Sequence, residues 1–326
     1  MNAIKKIFKK SEDDRLYVVF GVTGAQGGAV AASLLAKGAK RVRGLTRNPT
    51  SDKAKALDKR IEVVKCDMDN EEEIKQALDG AYGVFLVTNF WEHFDANKEV
   101  EQVKRVAKIA EERGVKHLVF STLEDTSAID APVVKDGFKT PHFDGKALAT
   151  KYLQENVKGL GVTQFYTSFY YENFIYFGMA PKLNGAEDGV YRFGMPIGSK
   201  PLPMMAIEDC GKAGAAALMD DSTIGKSVGI ASCHMTGEEM AKAFAEVTDK
   251  KVEFLPMTRD QYAGLGFPGC EDLANMFKFK HDYNETFCAL RDLKKSKKLT
   301  GSELKSFKSW LQDNLDALQK AMQDAE

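Results

Sequence analysis

The chain has 326 residues, with 46 basic and 47 acidic side chains and a formal net charge of −1 at neutral pH. At about 150 residues per domain, this length fits one large domain or two modest ones. The balanced charge argues against direct nucleic-acid binding, and no stretch approaches the about 18 uncharged apolar residues of a membrane-spanning helix, so we expect no direct nucleic-acid or membrane partner.

The chain opens with a basic leader, residues 1–14. Lys5, Lys6, Lys9 and Lys10 alternate with apolar residues at helical spacing, and three acidic residues follow at 12–14. Such spacing occurs in surface-binding amphipathic helices, but this segment is short and directly followed by acid. We therefore interpret residues 1–14 as a disordered, solvated tail.

Between residues 16 and 166, short apolar runs alternate with longer amphipathic segments. The predicted strands are 16–20, 41–45, 61–64, 83–87, 117–121 and 162–166, and the predicted helices are 28–37, 71–78, 95–112 and 145–156. Strict alternation of this kind requires right-handed crossovers and a parallel sheet covered on both faces. The sequence predicts a doubly wound α/β domain of the Rossmann type.

The alternation breaks after about residue 166. A helix is predicted at 212–219 and a strand at 228–232, and two S/T-x-x-E capping boxes pair Thr236 with Glu239 and Thr300 with Glu303. We expect a Rossmann domain of residues 15–165, joined by 202–232. Residues 166–201 and 233–326 form a smaller mixed α/β C-terminal domain.

A glycine-rich turn separates the first predicted strand from the first helix. This strand–turn–helix context is the one that a dinucleotide site requires. The first glycine permits a sharp turn, the second permits close approach of a pyrophosphate, and the helix N-terminus supplies free N–H groups. The predicted contacts are Gly21, Thr23, Gly24, Ala25, Gln26 and Gly27.

The end of the second strand indicates which dinucleotide is bound. An NAD site usually has an acid about 20 residues after the turn, where it binds the ribose 2′-hydroxyl. Here that residue is Arg47, and no acid occurs between Lys40 and Ser51. Because a guanidinium fork suits a phosphate, the sequence favours NADP(H) over NAD(H).

Other strand ends complete the predicted groove, since ligands of open α/β sheets bind at the carboxyl ends of the strands. Asp67 follows the third strand, where it can accept a hydrogen bond from the adenine amino group, and Met68 can pack on the ring. Thr88, Asn89 and Phe90 follow the fourth strand.

The five cysteines and five histidines are scattered. No spacing among them matches a zinc site, so we predict no metal. With no secretory signal pattern, reduced thiols in the cytoplasm, with the nucleus as a second location, are expected.

Several local motifs resemble one known family. The glycine turn and Thr-Arg-Asn-Pro at 46–49, together with the segments 88–92, 142–146, 170–173, 265–269 and 272–277, resemble the NmrA-like branch of atypical short-chain dehydrogenase/reductases, and within it an animal subgroup of NADPH sensors. The resemblance implies NADP contacts from the residues named above. It adds Lys146 near the nicotinamide ribose, and Tyr170, Tyr171, Glu172 and Asn173.

A reductase of the wider superfamily needs a Tyr-x-x-x-Lys pair, in which the lysine lowers the phenol pKa. Here Lys146 is present, but the residue four positions earlier is His142. An imidazole can act as an acid, so His142 and Lys146 are catalytic candidates, although we expect His142 to be structural. The sequence leaves open whether the chain is an enzyme, but because His142 replaces the tyrosine we do not expect a competent reductase.

Three hypotheses about the function therefore compete. The first is an NADP(H)-binding regulatory protein that senses the NADPH/NADP ratio through protein partners, with a homodimer as one form. The alternative is an NADPH-dependent reductase of a quinone or carbonyl compound. A third hypothesis, a transcription co-regulator, predicts protein partners without DNA affinity.

Overall fold

The computed structural model describes residues 13–127, 137–183 and 187–323. The predicted disordered leader falls almost entirely outside the described residues, and it stays a prediction.

The strands of the described chain are, in order, β1 (Asp13–Phe20), β2 (Ala39–Thr46), β3 (Ile61–Lys65), β4 (Gly83–Leu86), β5 (His117–Thr122), β6 (Gly161–Tyr166), β7 (Phe169–Tyr170), β8 (Val190–Met195), β9 (Leu202–Met205), β10 (Ser227–Gly229), β11 (Cys233–Met235) and β12 (Lys251–Pro256). Seven of them form one sheet in the order β10-β6-β5-β4-β1-β2-β3, and every neighbouring pair is parallel. The predicted parallel α/β sheet is confirmed.

The helices of the described chain are α1 (Ala25–Lys37), α2 (Asp52–Lys55), α3 (Glu71–Ala77), α4 (Ala96–Glu112), α5 (Pro141–Asn156), α6 (Asn173–Tyr176), α7 (Ile207–Met219), α8 (Gly237–Thr248), α9 (Arg259–Ala263), α10 (Cys270–Asp282), α11 (Asn284–Leu290), α12 (Leu293–Thr300), α13 (Phe307–Asp313) and α14 (Leu315–Ala321). Short 3-10 turns lie at Phe90–Glu92 and Asp221–Thr223. In the part of the chain described, no helix combines the length and apolarity needed to cross a membrane.

Helices cover both faces of the large sheet, which explains why its central strands β4 and β5 are buried along their whole length. One apolar core joins β1, β4 and β5 to α3, α4 and α5, through side chains such as Val103 and Leu153. A second core on the opposite face joins the sheet to α1 and α7, through Leu34 and Ala213.

Helices α1 and α7 approach each other closely because α7 carries glycine at the contact. A Cβ atom at Gly211 would lie 2.4 Å from the carbonyl oxygen of Ala29, which no side chain tolerates. The small-residue face of α7 therefore fixes its position over the sheet.

Chain segments after β6 build a third core with two small sheets, ordered β11-β9-β7 and β12-β8. Aromatic rings dominate it: Phe174 packs on Phe244 at 5.0 Å, and Phe307 packs on both. This agrees with a smaller mixed α/β part, although the exact domain boundaries given above stay a prediction.

The predicted capping box at α8 is confirmed, since Thr236 and Glu239 bond each other's backbone N–H groups. The second one is wrong. Thr300 ends α12, and the next residue, Gly301, adopts the left-handed conformation of a helix C-cap. The strand predicted at 228–232 is also shorter, because its pairing with β6 ends at Gly229.

Candidate nucleotide-binding site

The glycine turn gives α1 an open N-terminus. Gly21 has φ +65°, and the N–H of Gly24 donates to its carbonyl at 2.9 Å. Gly24 is the N-cap of α1; no side chain caps the helix and no acid lies in its first turn. A Cβ atom at Gly27 would lie 2.3 Å from the carbonyl oxygen of Gly21, so this position requires glycine.

This turn fits a phosphate group. The first N–H groups of a helix have no intrahelical acceptor, and the helix dipole adds partial positive charge. Gly21, Gly24 and Ala25 are exposed, so a ligand can reach these groups. Two further contacts fix the turn: Ser121 Oγ at the end of β5 donates to Gln26 Oε1 at 2.8 Å, and Thr23 Oγ1 lies 3.4 Å from Thr46 Oγ1.

Arg47 lies just past the end of β2, as predicted, and its side chain is 61% exposed. Its guanidinium forms an ion pair with Glu92, the last residue of the 3-10 turn after β4. The hydrogen bond with Glu92 raises the pKa of Arg47. The spacing of Arg47 and Glu92 in the sequence does not indicate this pair.

Asp67 and Met68 follow β3, and both are half-buried. The Asp67 N–H donates to Glu73 Oε2 at 2.8 Å, and the Met68 carbonyl accepts from Arg105 at 2.7 Å. These contacts fix the backbone of the loop at the same sheet edge as Arg47, since β3 pairs in parallel with β2.

Thr88 and Lys146 come together at the next strand end. Lys146 Nζ donates to Thr88 Oγ1 at 2.8 Å and to Glu99 Oε1 at 2.7 Å, and Thr88 Oγ1 donates to the same oxygen. Glu99 is fully buried, and its other oxygen has no hydrogen-bond partner in the described structure. Asn89 is exposed and Phe90 is buried, where they begin the 3-10 turn.

His142 lies in the first turn of α5, and its ring is held by an acid from the C-terminal part. Its Nδ1 lies 2.6 Å from Asp272 Oδ1, and its backbone N–H donates to the other oxygen of Asp272 at 3.3 Å. Both side chains are at least nine-tenths buried. The ring packs on Trp91 at 4.8 Å, close to the Lys146 cluster on the same helix.

The predicted contacts at 170–173 lie in a different environment. Tyr171 is fully buried, and its hydroxyl contacts Cys233 and the Lys305 carbonyl, which places the ring in the aromatic core. Glu172 accepts the N–H of Ile207 at the start of α7 and the indole N–H of Trp310, and burial raises its pKa. The structure therefore gives these two residues packing roles.

Tyr170 and Asn173 differ from their neighbours. The Tyr170 hydroxyl is buried near Cys210 without a hydrogen bond of standard geometry, and burial raises its pKa. Tyr170 packs against the core between the sheet and α7 rather than in the aromatic core. Asn173 begins the short helix α6.

Three acids in this region were not predicted from the sequence: Glu92, Glu99 and Asp272. Each pairs with one predicted basic or titratable residue, namely Arg47, Lys146 and His142. Glu99 lies one helical turn before Val103 on the apolar face of α4, and Glu92 and Asp272 lie in the segments 88–92 and 272–277 that carry the family resemblance, but no local pattern assigned a partner to any of the three. Among the described residues, no group of histidine, cysteine and carboxylate side chains is arranged to hold a metal ion.

The protein has a parallel seven-stranded sheet, and a glycine turn after its first strand leads into a helix whose N-cap, Gly24, makes no side-chain hydrogen bond. These features define a Rossmann-type protein. The sequence model of the NmrA-like family matches residues 13–311, and the chain belongs to this family.

Curated relatives agree with this assignment. An NmrA-like family domain-containing oxidoreductase, FrzB of Cladobotryum sp., is 30% identical over 81% of this chain and 83% of its own. An NmrA-like family domain-containing protein of Dictyostelium discoideum is 35% identical over 52% of this chain and 56% of its own length.

Solved structures of similar fold include NmrA, a negative transcriptional regulator, in complex with NADP. It is 17% identical, with a TM-score of 0.77, and the match covers 95% of this chain and 98% of that one. An NADPH-dependent quinone oxidoreductase of Escherichia coli is 20% identical, with a TM-score of 0.69, covering 92% of this chain and 100% of that one.

Proposed function

We propose that the protein binds NADP(H) at the glycine turn and Arg47 and serves as a regulatory sensor of the NADPH/NADP ratio that acts through protein partners. The cofactor part rests on the open N-terminus of α1 and on the arginine that follows β2. NmrA, which shares this fold, has been solved with NADP and with NAD, which supports a nicotinamide dinucleotide as the ligand.

The single observation that carries the regulatory part is the state of Lys146. In a reductase, the lysine charge must lower the pKa of a tyrosine one helical turn earlier. Here the ammonium is paired with the buried carboxylate of Glu99, and the position one turn earlier holds His142. The chain therefore keeps the lysine that lies near the cofactor, but it lacks the tyrosine that would pass a proton as the hydride moves.

The bound cofactor would supply a hydride when it is in its reduced form. The chain's own residues would hold it: the N–H groups at the start of α1 would bind the pyrophosphate, Arg47 the 2′-phosphate, and Lys146 a ribose hydroxyl. The Thr88 hydroxyl and Glu99 hold the Lys146 ammonium in place.

Calorimetric titration with NADPH, NADP, NADH and NAD tests the cofactor part. Hydrogen bonds to charged groups contribute about 1.5–3 kcal/mol, so Arg47→Ala should weaken NADPH binding about 10- to 150-fold and leave NADH binding unchanged. Arg60→Ala, which removes another exposed, acid-paired arginine, is the matched control. Equal losses for both cofactors, or a wild-type preference for NADH, would refute the assignment.

A ratio sensor must also distinguish the two oxidation states, since a ligand shifts an equilibrium only by its differential affinity. Hydrogen exchange with NADP and with NADPH should differ at residues 90–94 and around Gly269, because Gly269 of the C-terminal part lies against Trp91 and Phe94. Identical hydrogen-exchange protection in the NADP and NADPH complexes would refute the sensor role, and the protein would then bind the cofactor without switching its conformation.

A second candidate, an NADPH-dependent reductase, is favoured by the His142–Asp272 pair. A carboxylate on Nδ1 fixes the ring and leaves Nε2 to act as an acid or base. NADPH oxidation measured across a panel of quinones and aldehydes discriminates the two functions. Turnover that Asp272→Asn lowers and His142→Ala abolishes, with NADPH binding retained in both, would establish the reductase and refute a purely regulatory role.

A further inference from the structure

The ion pair between Arg47 and Glu92 connects the predicted phosphate site to a distinct segment of the chain, residues 90–94. The ring of Trp91 in this segment packs 4.8 Å from His142, and a Cβ atom at Gly269 would lie 2.8 Å from it. The segment therefore contacts Arg47 on one side and the C-terminal part on the other.

We propose that Glu92 competes with the 2′-phosphate of a nucleotide for Arg47. This competition determines how strongly the site discriminates 2′-phosphorylated from 2′-hydroxyl nucleotides. The inference rests on the proposed function, in which Arg47 binds the 2′-phosphate. Glu92 occupies the guanidinium in the free protein and gives way to the phosphate when NADP(H) binds.

The charges favour this exchange. Glu92 brings one negative charge to Arg47, whereas a phosphate monoester carries about −1.5 to −2 at neutral pH and offers more acceptor oxygens. The side chains of Arg47 and Glu92 are 61% and 42% exposed, so their ion pair is weak and readily replaced. Glu92 also repels a phosphate that approaches the same guanidinium.

A nucleotide without the 2′-phosphate has no group to displace Glu92. The Arg47–Glu92 pair then persists, and Glu92 has no effect on binding. Glu92 thus lowers affinity only for 2′-phosphorylated ligands. When such a ligand binds, Glu92 leaves Arg47, and the 90–94 segment loses its contact with Arg47.

Two probes isolate this effect, because adenosine 2′,5′-bisphosphate and 5′-AMP differ only in the 2′-phosphate. Glu92→Gln keeps the side-chain size and removes the charge. We expect it to bind the bisphosphate about two- to fivefold more tightly and 5′-AMP with unchanged affinity. Glu62→Gln, which removes the acid that pairs with Arg43 on neighbouring strands, should change neither affinity.

Tryptophan emission gives a second measurement. The chain has two tryptophans, and Trp310 is buried in the aromatic core, so Trp310→Phe leaves Trp91 as the reporter. In this background the bisphosphate should shift the Trp91 emission and 5′-AMP should not. After Glu92→Gln the shift caused by the bisphosphate should shrink, because the segment is already released.

Failure of this inference is distinguishable from failure of the proposed function. If Arg47→Ala weakens bisphosphate binding while Glu92→Gln leaves it unchanged, or tightens both ligands equally, the competitor role is refuted and the cofactor site stands. If Arg47→Ala leaves bisphosphate binding unchanged, the 2′-phosphate site itself is refuted.

Discussion

Replacing Lys280 with methionine should stabilise the protein. Lys280 lies on α10, is 5% exposed, and donates only to the sulfur of Met276 at 3.2 Å. The rings of Phe143, Phe277 and Phe287 surround its ammonium at 5.4–5.7 Å. Within the described residues, no carboxylate pairs with it.

Burial, together with the nearby Arg291 cation, lowers the pKa of Lys280 from 10.5 to about 7, and the Glu124 carboxylate partly opposes this change. A pKa difference of this size costs the folded state about 4 kcal/mol at pH 7. Cation–π attraction between the ammonium and the three rings offsets about 1–2 kcal/mol of this cost. Because methionine has nearly the same length, Lys280→Met should raise the free energy of unfolding by about 2–3 kcal/mol.

The pH dependence of the free energy of unfolding independently tests the direction of this effect. Between pH 7 and 10.5 the unfolded lysine binds a proton that the folded one does not, so wild-type stability rises with pH across this window. The advantage of Lys280→Met should be full at pH 7 and below, fall to about half near pH 9, and vanish near pH 10.5.

Urea unfolding at pH 6, 7, 9 and 10 measures both effects, with the exposed Lys294→Met on α12 as the matched control. A stability gain that does not change with pH would show that packing, and not the charge, is responsible. A loss of stability would refute the reasoning, because it would mean that the ammonium is favourably bound where it lies.

Three further predictions concern stability and the glycine turn. Glu124→Gln should destabilise the fold by about 3–5 kcal/mol in urea unfolding, because it leaves the fully buried guanidinium of Arg291 without its carboxylate. Thr236→Ala should cost about 1 kcal/mol through loss of the α8 cap, and Thr236→Ser should restore most of it. Gly27→Ala should lower NADPH affinity at least tenfold and reduce the melting temperature, since the added methyl group would push α1 away from β1; unchanged binding would show that the turn absorbs the methyl group.

Local signals in the sequence explain why the Rossmann part could be predicted. The strands are short apolar runs, and the buried face of α4 repeats at helical spacing, so their positions follow from periodicity. The glycine turn and Arg47 have fixed places relative to the first two strands, and the structure puts both at the predicted edge of the sheet.

Contacts across long sequence separations carried no such signal. Asp272 reaches His142 across 130 positions, and although both lie in segments that carry the family resemblance, no local pattern pairs them. Thr300 showed the capping pattern, but Gly301 ends the helix there, because a left-handed residue after the last turn satisfies the helix carbonyls. Tyr171 is similar: its motif suggested the cofactor, whereas its contacts lie in the aromatic core.

The order of the sheet has a consequence for synthesis on the ribosome. Strands β1 to β6 exist once residue 166 has emerged, but α7 covers one face of that sheet and ends only at residue 219. At about 5–20 residues per second, the part of that face that α7 covers beside α1 stays without its helix for about 3–10 s on each nascent chain, and Phe85 and Phe165 belong to this core. A chain released before α7 is made exposes this apolar face, which makes it a target for chaperone binding and quality control.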